Sequence, residues 1–119
     1  MARYRLSDPA KSDIAAILKT SEERLGAQAR MRYRALLSAA LRRIAADPEG
    51  ASTRPRADLL PGLRSFHLRH SRSESREAPV ASSVHVIFYR AMQPEAVEIV
   101  RVLHERMEPA RHIGPSSSS

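Results

Sequence analysis

Residues 84–89 read Val84-His85-Val86-Ile87-Phe88-Tyr89, a run that is nearly all β-former. Such a run matches a central strand buried on both faces. On the C-terminal side, Gln93-Pro94-Glu95 supplies a turn. Val97 to Leu103 then makes a second rich strand, interrupted by Glu98 and Arg101. On the N-terminal side, residues 71–83 are polar and aperiodic and read as a loop insertion. Before them, Phe66 and Leu68 alternate with Ser65, His67 and Arg69, which predicts a strand near 63–70 with His67 and Arg69 on one face. Three consecutive strands with short or polar connections predict an antiparallel meander.

Upstream of about residue 60 the apolar period changes from 2 to 3.6. Residues 48–62 are loop-like, with Gly50, Pro55, Pro61 and Gly62 among them. Ala29, Tyr33, Leu36, Leu37, Ala40, Leu41 and Ile44 form one apolar stripe, with Arg30, Arg34, Ser38 and Arg42 elsewhere on the same helix. Asp47-Pro48 stops that helix. An earlier one begins at Asp8-Pro9, with Asp8 as its cap, and carries Ile14, Ile17, Leu18, Ser21 and Leu25. Gly26 is its C-terminal cap, and so short a link makes the two helices (about 8–25 and 27–47) an antiparallel hairpin. Residues 2–6 alternate apolar and basic, as a half-buried strand does. The expected fold is α+β: an N-terminal strand and a helix hairpin packed on a three- to four-stranded, mainly antiparallel sheet. It occupies residues 1–113, and a Ser-rich tail, 114–119, is expected to fray.

Length agrees with one domain, since the chain has 119 residues. Aromatics are only 4% and Trp is absent, so the core must be mainly aliphatic. Cysteine is absent too, which excludes disulfides, thiolate chemistry and Cys-ligated metal. No run of about 18 apolar residues and no signal peptide is visible, so a cytoplasmic protein with no membrane contact is expected. The net charge is +7, and 18 of the 20 basic residues are Arg. Such a balance suits a polyanionic partner, either nucleic acid or an acidic protein segment, although a GC-rich coding genome also produces an Arg-rich surface.

The chemistry-bearing residues are few. His67, His70, His85, His104 and His112, with Arg64, Arg69, Arg90 and Arg101 nearby, could supply an acid–base group and phosphate-stabilising cations. In so Arg-rich a chain such neighbours also arise by chance, and no catalytic residue is assigned. His67 and His70, three apart on a predicted strand, point to opposite faces, so no metal site is expected. With four glycines there is no phosphate-cradling loop, and no cofactor is expected. Phe66, Phe88 and Tyr89 read as core rather than as a base-stacking platform. Arg101 lies among Ile99, Val100, Val102 and Leu103 and needs an acceptor: Glu98, a helix carboxylate such as Asp13, or a C-terminal carbonyl.

Three segments together, Pro61-Gly62-Leu63-Arg64-Ser65-Phe66, His85-Val86-Ile87-Phe88-Tyr89-Arg90 and Ile99-Val100-Arg101-Val102-Leu103-His104-Glu105-Arg106-Met107 followed by His112, resemble the ParE branch of the RelE/ParE toxins. The resemblance covers about residues 3–113. It implies a toxin held in a hetero-oligomer by a ParD-like antitoxin and directed at DNA gyrase, without a catalytic site of its own and without specific nucleic-acid binding by the toxin alone. The alternative is the RelE branch, which cuts messenger RNA on the ribosome. There the family's central-strand Arg falls here on Val86, and its C-terminal Tyr has no counterpart among Tyr4, Tyr33 and Tyr89. Two departures from the ParE pattern are Leu25, where an aromatic is usual, and the insertion at 71–83.

The family's antitoxin is commonly acidic and wraps the hairpin and sheet. This implies a basic docking set of Arg30, Arg34, Arg42, Arg43, Arg64 and Arg69. The stretch Glu105–His112 is too polar to be core, and target contact is expected at His104, Arg106, Met107, Arg111 and His112.

Overall fold

The alternating Arg3-Tyr4-Arg5-Leu6 forms β1 (Arg3–Leu6), which runs parallel to the last strand, β5 (Ala96–His104). This computed structural model describes residues 3–74, 84–92 and 95–113. Residues 75–83, the Gln93-Pro94 part of the expected turn and the tail 114–119 lie outside the described residues. Ser7, not Asp8, caps the first helix. Its Oγ accepts from the Ala10 N–H at 3.1 Å while its hydroxyl donates to the Val100 carbonyl at 2.8 Å. A hydroxyl can cap a helix and bond the sheet at once, whereas a carboxylate only accepts. Asp8 and Pro9 occupy the first turn instead.

The hairpin consists of α1 (Asp8–Leu25) and α2 (Ala27–Ala46). Gly26 links them at φ +94°, a conformation that a residue with a Cβ rarely adopts. The α2 stripe is buried as its period requires, from Tyr33 through Ile44, with Ala39 and Ala45 added. Leu25, in the last turn of α1, is 76% exposed.

Among the described residues the sheet has five strands in the order β1-β5-β4-β3-β2, one or two more than expected. The added strand, β2 (Thr53–Pro55), lies inside the loop-like stretch and is too short to carry a period. β3 (Leu63–His67) ends three residues early, because the chain coils into a 3₁₀ helix over Leu68–Glu74. His67 ends the strand itself: its Nδ1 accepts from the Arg69 N–H at 3.1 Å and draws the backbone out of the ladder. His67 and Arg69 therefore do not share a strand face, and His70 is not on a strand. β4 (His85–Met92) is the middle strand, with Ile87, Phe88 and Tyr89 buried.

The sheet has a core on each face. Under the helices lie Phe66, Ile87, Tyr89, Val97, Ile99 and Val102. On the other face, Leu63, Phe88, Leu103 and Ile113 form a second cluster roofed by Leu59 and Leu60. A β-bulge makes this possible. Phe88 pairs with Arg101 but Tyr89 pairs with Ile99, so Val100 has no opposite number. The extra residue reverses the alternation, and Val97 and Ile99 share the helix face with Val102.

Arg101 finds two of the acceptors the sequence allows. Its guanidinium donates to both Asp13 carboxylate oxygens, at 2.8 and 2.9 Å, and to the His112 carbonyl at 3.3 Å. Asp13 Oδ2 also accepts from the Val102 N–H at 2.9 Å. Replacing Asp13 by Ala strands a half-buried cation and a strand-edge N–H, and should cost about 3 kcal/mol of unfolding free energy. Asp13→Asn, which retains an acceptor for Val102, should cost clearly less. Urea denaturation of the two variants measures the difference.

Candidate functional site

The six arginines of the expected docking set have different surroundings. Arg30, Arg34 and Arg42 are exposed on α2, and Arg69 is exposed in the 3₁₀ helix. Arg30 pairs with Glu22 across the hairpin at 2.7 Å. Arg34 and Arg42 have no hydrogen bond or ion pair among the described residues. Arg43 is half-buried and holds the fold: it donates to the His70 carbonyl at 2.6 Å and to Ser52 Oγ at 3.4 Å, and lies 5.5 Å over the Phe66 ring. Arg64 donates to Thr53 Oγ1 at 2.8 Å and braces β2 against β3.

One corner gathers cations that the sequence does not place together. Burial pushes the His70 imidazole below its ordinary range, and the charges of Arg69, His67, Arg43 and Arg54 push it the same way. Arg54 is exposed on β2, and no periodic signal marks it because β2 itself carries none.

The expected target-facing residues form a bowed segment fixed at both ends. At its start, His104 Nδ1 accepts from the Arg106 N–H at 3.1 Å, and the Glu105 N–H bonds the Val84 carbonyl at 2.7 Å. At its end, the His112 N–H bonds the Pro109 carbonyl at 2.9 Å, and Ile113 is buried against Leu63, Phe88 and Leu103. Between these anchors Arg106, Met107 and Arg111 are exposed, with Met107 46% accessible. Ile113 is the residue that sequence reasoning passed over. A lone apolar residue before a Ser-rich tail carries no period.

Histidines cluster where β3 and β5 end and β4 begins. The Tyr33 hydroxyl and His85 Nδ1 are 2.6 Å apart, and the His85 and His104 rings meet edge to face at 5.5 Å. Burial, with the neighbouring His104 and His67, pushes His85 down to about 4, so its ring is neutral at pH 7. Burial pushes Tyr33 up to about 12 against a Val84 backbone bond, so its hydroxyl keeps the proton and donates. His67 has both nitrogens engaged, Nδ1 by the Arg69 N–H and Nε2 by Glu105 at 2.6 Å. That hydrogen bond holds the Glu105 carboxyl below its usual range. Among the described residues no three His, Asp or Glu side chains converge on a point that could hold a metal ion. No helix among the described residues is long and apolar enough to cross a membrane.

A family model described as the ParE toxin of type II toxin–antitoxin system, parDE, matches residues 4–109. The chain belongs to the ParE toxin family. Toxin ParE1 of Caulobacter vibrioides is 35% identical over 114 residues, covering 96% of this chain and all of that protein. Toxin ParE1 of Mycobacterium tuberculosis is 28% identical over 112 residues, covering 94% of this chain and 98% of that one. Among solved structures, a chain of the chromosomal ParDE system from P. aeruginosa superposes with a TM-score of 0.65, covering 87% of this chain and 96% of that one. At 13% identity this likeness speaks for the fold alone. The three segments that resemble the ParE toxins fall on β3, β4 and β5 with the bowed segment after it.

The neutral His85 sets a pH dependence. Its folded pKa, about 4, lies below the unfolded value near 6.5. The stability it contributes is therefore complete above pH 6.5 and lost as pH falls from there towards 4. The ring is partly solvated, so the loss should be about 1–2 kcal/mol. Chemical denaturation at pH 7 and pH 4 should show the wild-type advantage over His85→Gln shrinking by that amount.

Proposed function

We propose that this ParE-family chain is the toxin of a pair neutralised by a ParD-like antitoxin, and that its target is DNA gyrase. The observation that carries the reading is the family match over residues 4–109, which takes in the hairpin, the sheet and most of the bowed segment. The matching family model is described as the toxin of the parDE system, which supports an antitoxin of the ParD kind. The exposed Arg34, Arg42 and Arg69 suit an acidic antitoxin segment, with Arg30 exchanging Glu22 for it. The exposed Arg106, Met107 and Arg111 suit target contact. A poison that traps a topoisomerase needs no acid–base pair of its own. The engagement of both His67 nitrogens and the Tyr33–His85 bond support that reading, because these groups are occupied in holding the sheet end together.

Expression from a tightly controlled promoter should raise the DNA-damage response before translation falls. Specific cuts in a translated message, lost in His67→Ala, would overturn the gyrase reading and put a ribosome-dependent nuclease in its place. Substituting Arg106→Glu with Met107→Asp leaves the Ile113 anchor and the Arg101 contacts intact. It should abolish growth inhibition while antitoxin affinity and thermal stability stay near wild type. Substituting Arg34→Glu with Arg42→Glu should slow association with the antitoxin about tenfold at low salt, a difference that stopped-flow measurements in 0.5 M salt should find largely screened (Debye length ~4 Å).

A further inference from the structure

The corner where β2 meets the end of β3 carries charge that the fold does not use. Arg43 ties the two elements together there, donating to Ser52 Oγ and to the His70 carbonyl in the 3₁₀ helix. The tie brings Arg54, opposite Ser65 on β2, to the same corner as Arg69. After burial, the charges of Arg69, His67, Arg43 and Arg54 hold the His70 imidazole below its ordinary range, so all four act on one ring. Arg54 and Arg69 are exposed, and among the described residues neither guanidinium has a hydrogen bond or ion pair. Two carboxylates of this region are turned elsewhere: Glu105 to His67 at 2.6 Å, and Asp47 to Gly50. Like charges held together repel, and a partner's anions would relieve that repulsion.

What the corner lacks narrows the partner. Among the described residues the exposed large apolar side chains are Tyr4, Leu25, Met31 and Met107, and none lies on β2 or the 3₁₀ helix. A protein partner binds chiefly through such anchors. Nor can an extended peptide add to β2. The Arg56 N–H turns inwards to the Leu63 carbonyl at 2.7 Å, so Thr53 and Pro55 face outwards. The Thr53 N–H already bonds the Gly50 carbonyl at 3.0 Å, and Pro55 has no N–H. A single nucleic-acid strand needs exposed aromatics on which its bases stack, and Phe66, the aromatic beside His70, is buried. A duplex needs neither anchor nor stacking platform, because cations against its phosphates carry the binding.

We propose that Arg54 and Arg69 bind the phosphate backbone of duplex DNA, without regard to base sequence, with Arg43 holding the corner in shape. The choice of DNA over RNA rests on the reading of gyrase as the target. The His67–Glu105 bond joins this corner to the bowed segment. The toxin thereby meets the target protein through the segment and the target's DNA through the corner.

Fluorescence anisotropy of the full chain with a labelled duplex of about 20 base pairs tests it. At 50 mM salt the Kd should be about 10 μM, equal for unrelated sequences, and should rise steeply with salt. Arg54→Gln with Arg69→Gln should weaken binding about tenfold and flatten the salt slope by about 2. Arg34→Gln with Arg42→Gln removes the same charge from α2 and should weaken binding less than about threefold. All four side chains are exposed and unpartnered among the described residues, so neither pair of changes threatens the fold. Equal losses from the two pairs would put the binding down to net charge and overturn the inference. So would no binding, or a preference of about tenfold or more for duplex RNA, for single strands or for one sequence. Arg69 also stands in the set expected to meet the antitoxin, whereas Arg54 does not. Arg54→Gln alone should therefore weaken DNA binding and leave antitoxin affinity near wild type; the reverse would assign the corner to the antitoxin and overturn the inference. Absence of DNA binding leaves the gyrase reading standing. Absence of a DNA-damage response removes that reading, and with it the choice of DNA over RNA.

Discussion

Asp13 joins the hairpin to the sheet, and most of the architecture depends on that join. β1 stops at Leu6 beside Ile99, so among the described residues β5 runs on for five residues with no strand along its outer side. Those edge groups would be left unsatisfied, at a cost of about 1–3 kcal/mol each where buried. The start of α1 takes the place of the missing strand. Ser7 bonds the Ile99 and Val100 carbonyls, and Asp13 takes the Val102 N–H. An isolated carboxylate would be costly there, and Arg101 compensates it with two short bonds. The same guanidinium reaches the His112 carbonyl, so one ion pair fixes α1, β5 and the C-terminal return together.

The bulge at Val100 is the second constraint. A strand with strict alternation could not place Val97, Ile99 and Val102 under the helices and still give Leu103 to the opposite face. One unpaired residue resolves this and also sets Arg101 within reach of α1. The second core it creates needs a cover. The 56–62 turn supplies Leu59 and Leu60, with Arg56 lying over the Phe88 ring at 5.7 Å, and the end of the 105–113 return supplies Ile113. The bowed segment 105–112 is thus stretched between β5 and a buried anchor. A chain pinned at both ends presents Arg106, Met107 and Arg111 with less entropy to lose on binding than a free tail would.

The basic charge divides by what each side chain touches. Arg43, Arg64 and Arg101 are engaged in holding elements together, while Arg34, Arg42 and Arg69 face solvent. The histidines are likewise engaged at one end of the sheet, with His67 on Glu105 and His85 on Tyr33. Charge in excess of what the fold uses is what remains for a partner.

By itself the sequence determined the helix hairpin, the three long strands and the residues at the centre of the core, because each has a period or a punctuating residue that local physics enforces. Tyr33 through Ile44 could bury one stripe only as a helix, and Ile87, Phe88 and Tyr89 could be covered on both sides only in mid-sheet. The resemblance of three segments carried the family. Tertiary structure alone decided the rest. β2 is a three-residue strand that exists because β3 offers it an edge. β3 ends at His67 because a side chain competes with the ladder. Among the acceptors open to Arg101, the choice of Asp13 and the His112 carbonyl followed from where a bulge turned the strand. Which arginines are free to meet a partner was likewise set by contacts between residues far apart in the chain, and no local pattern encodes those.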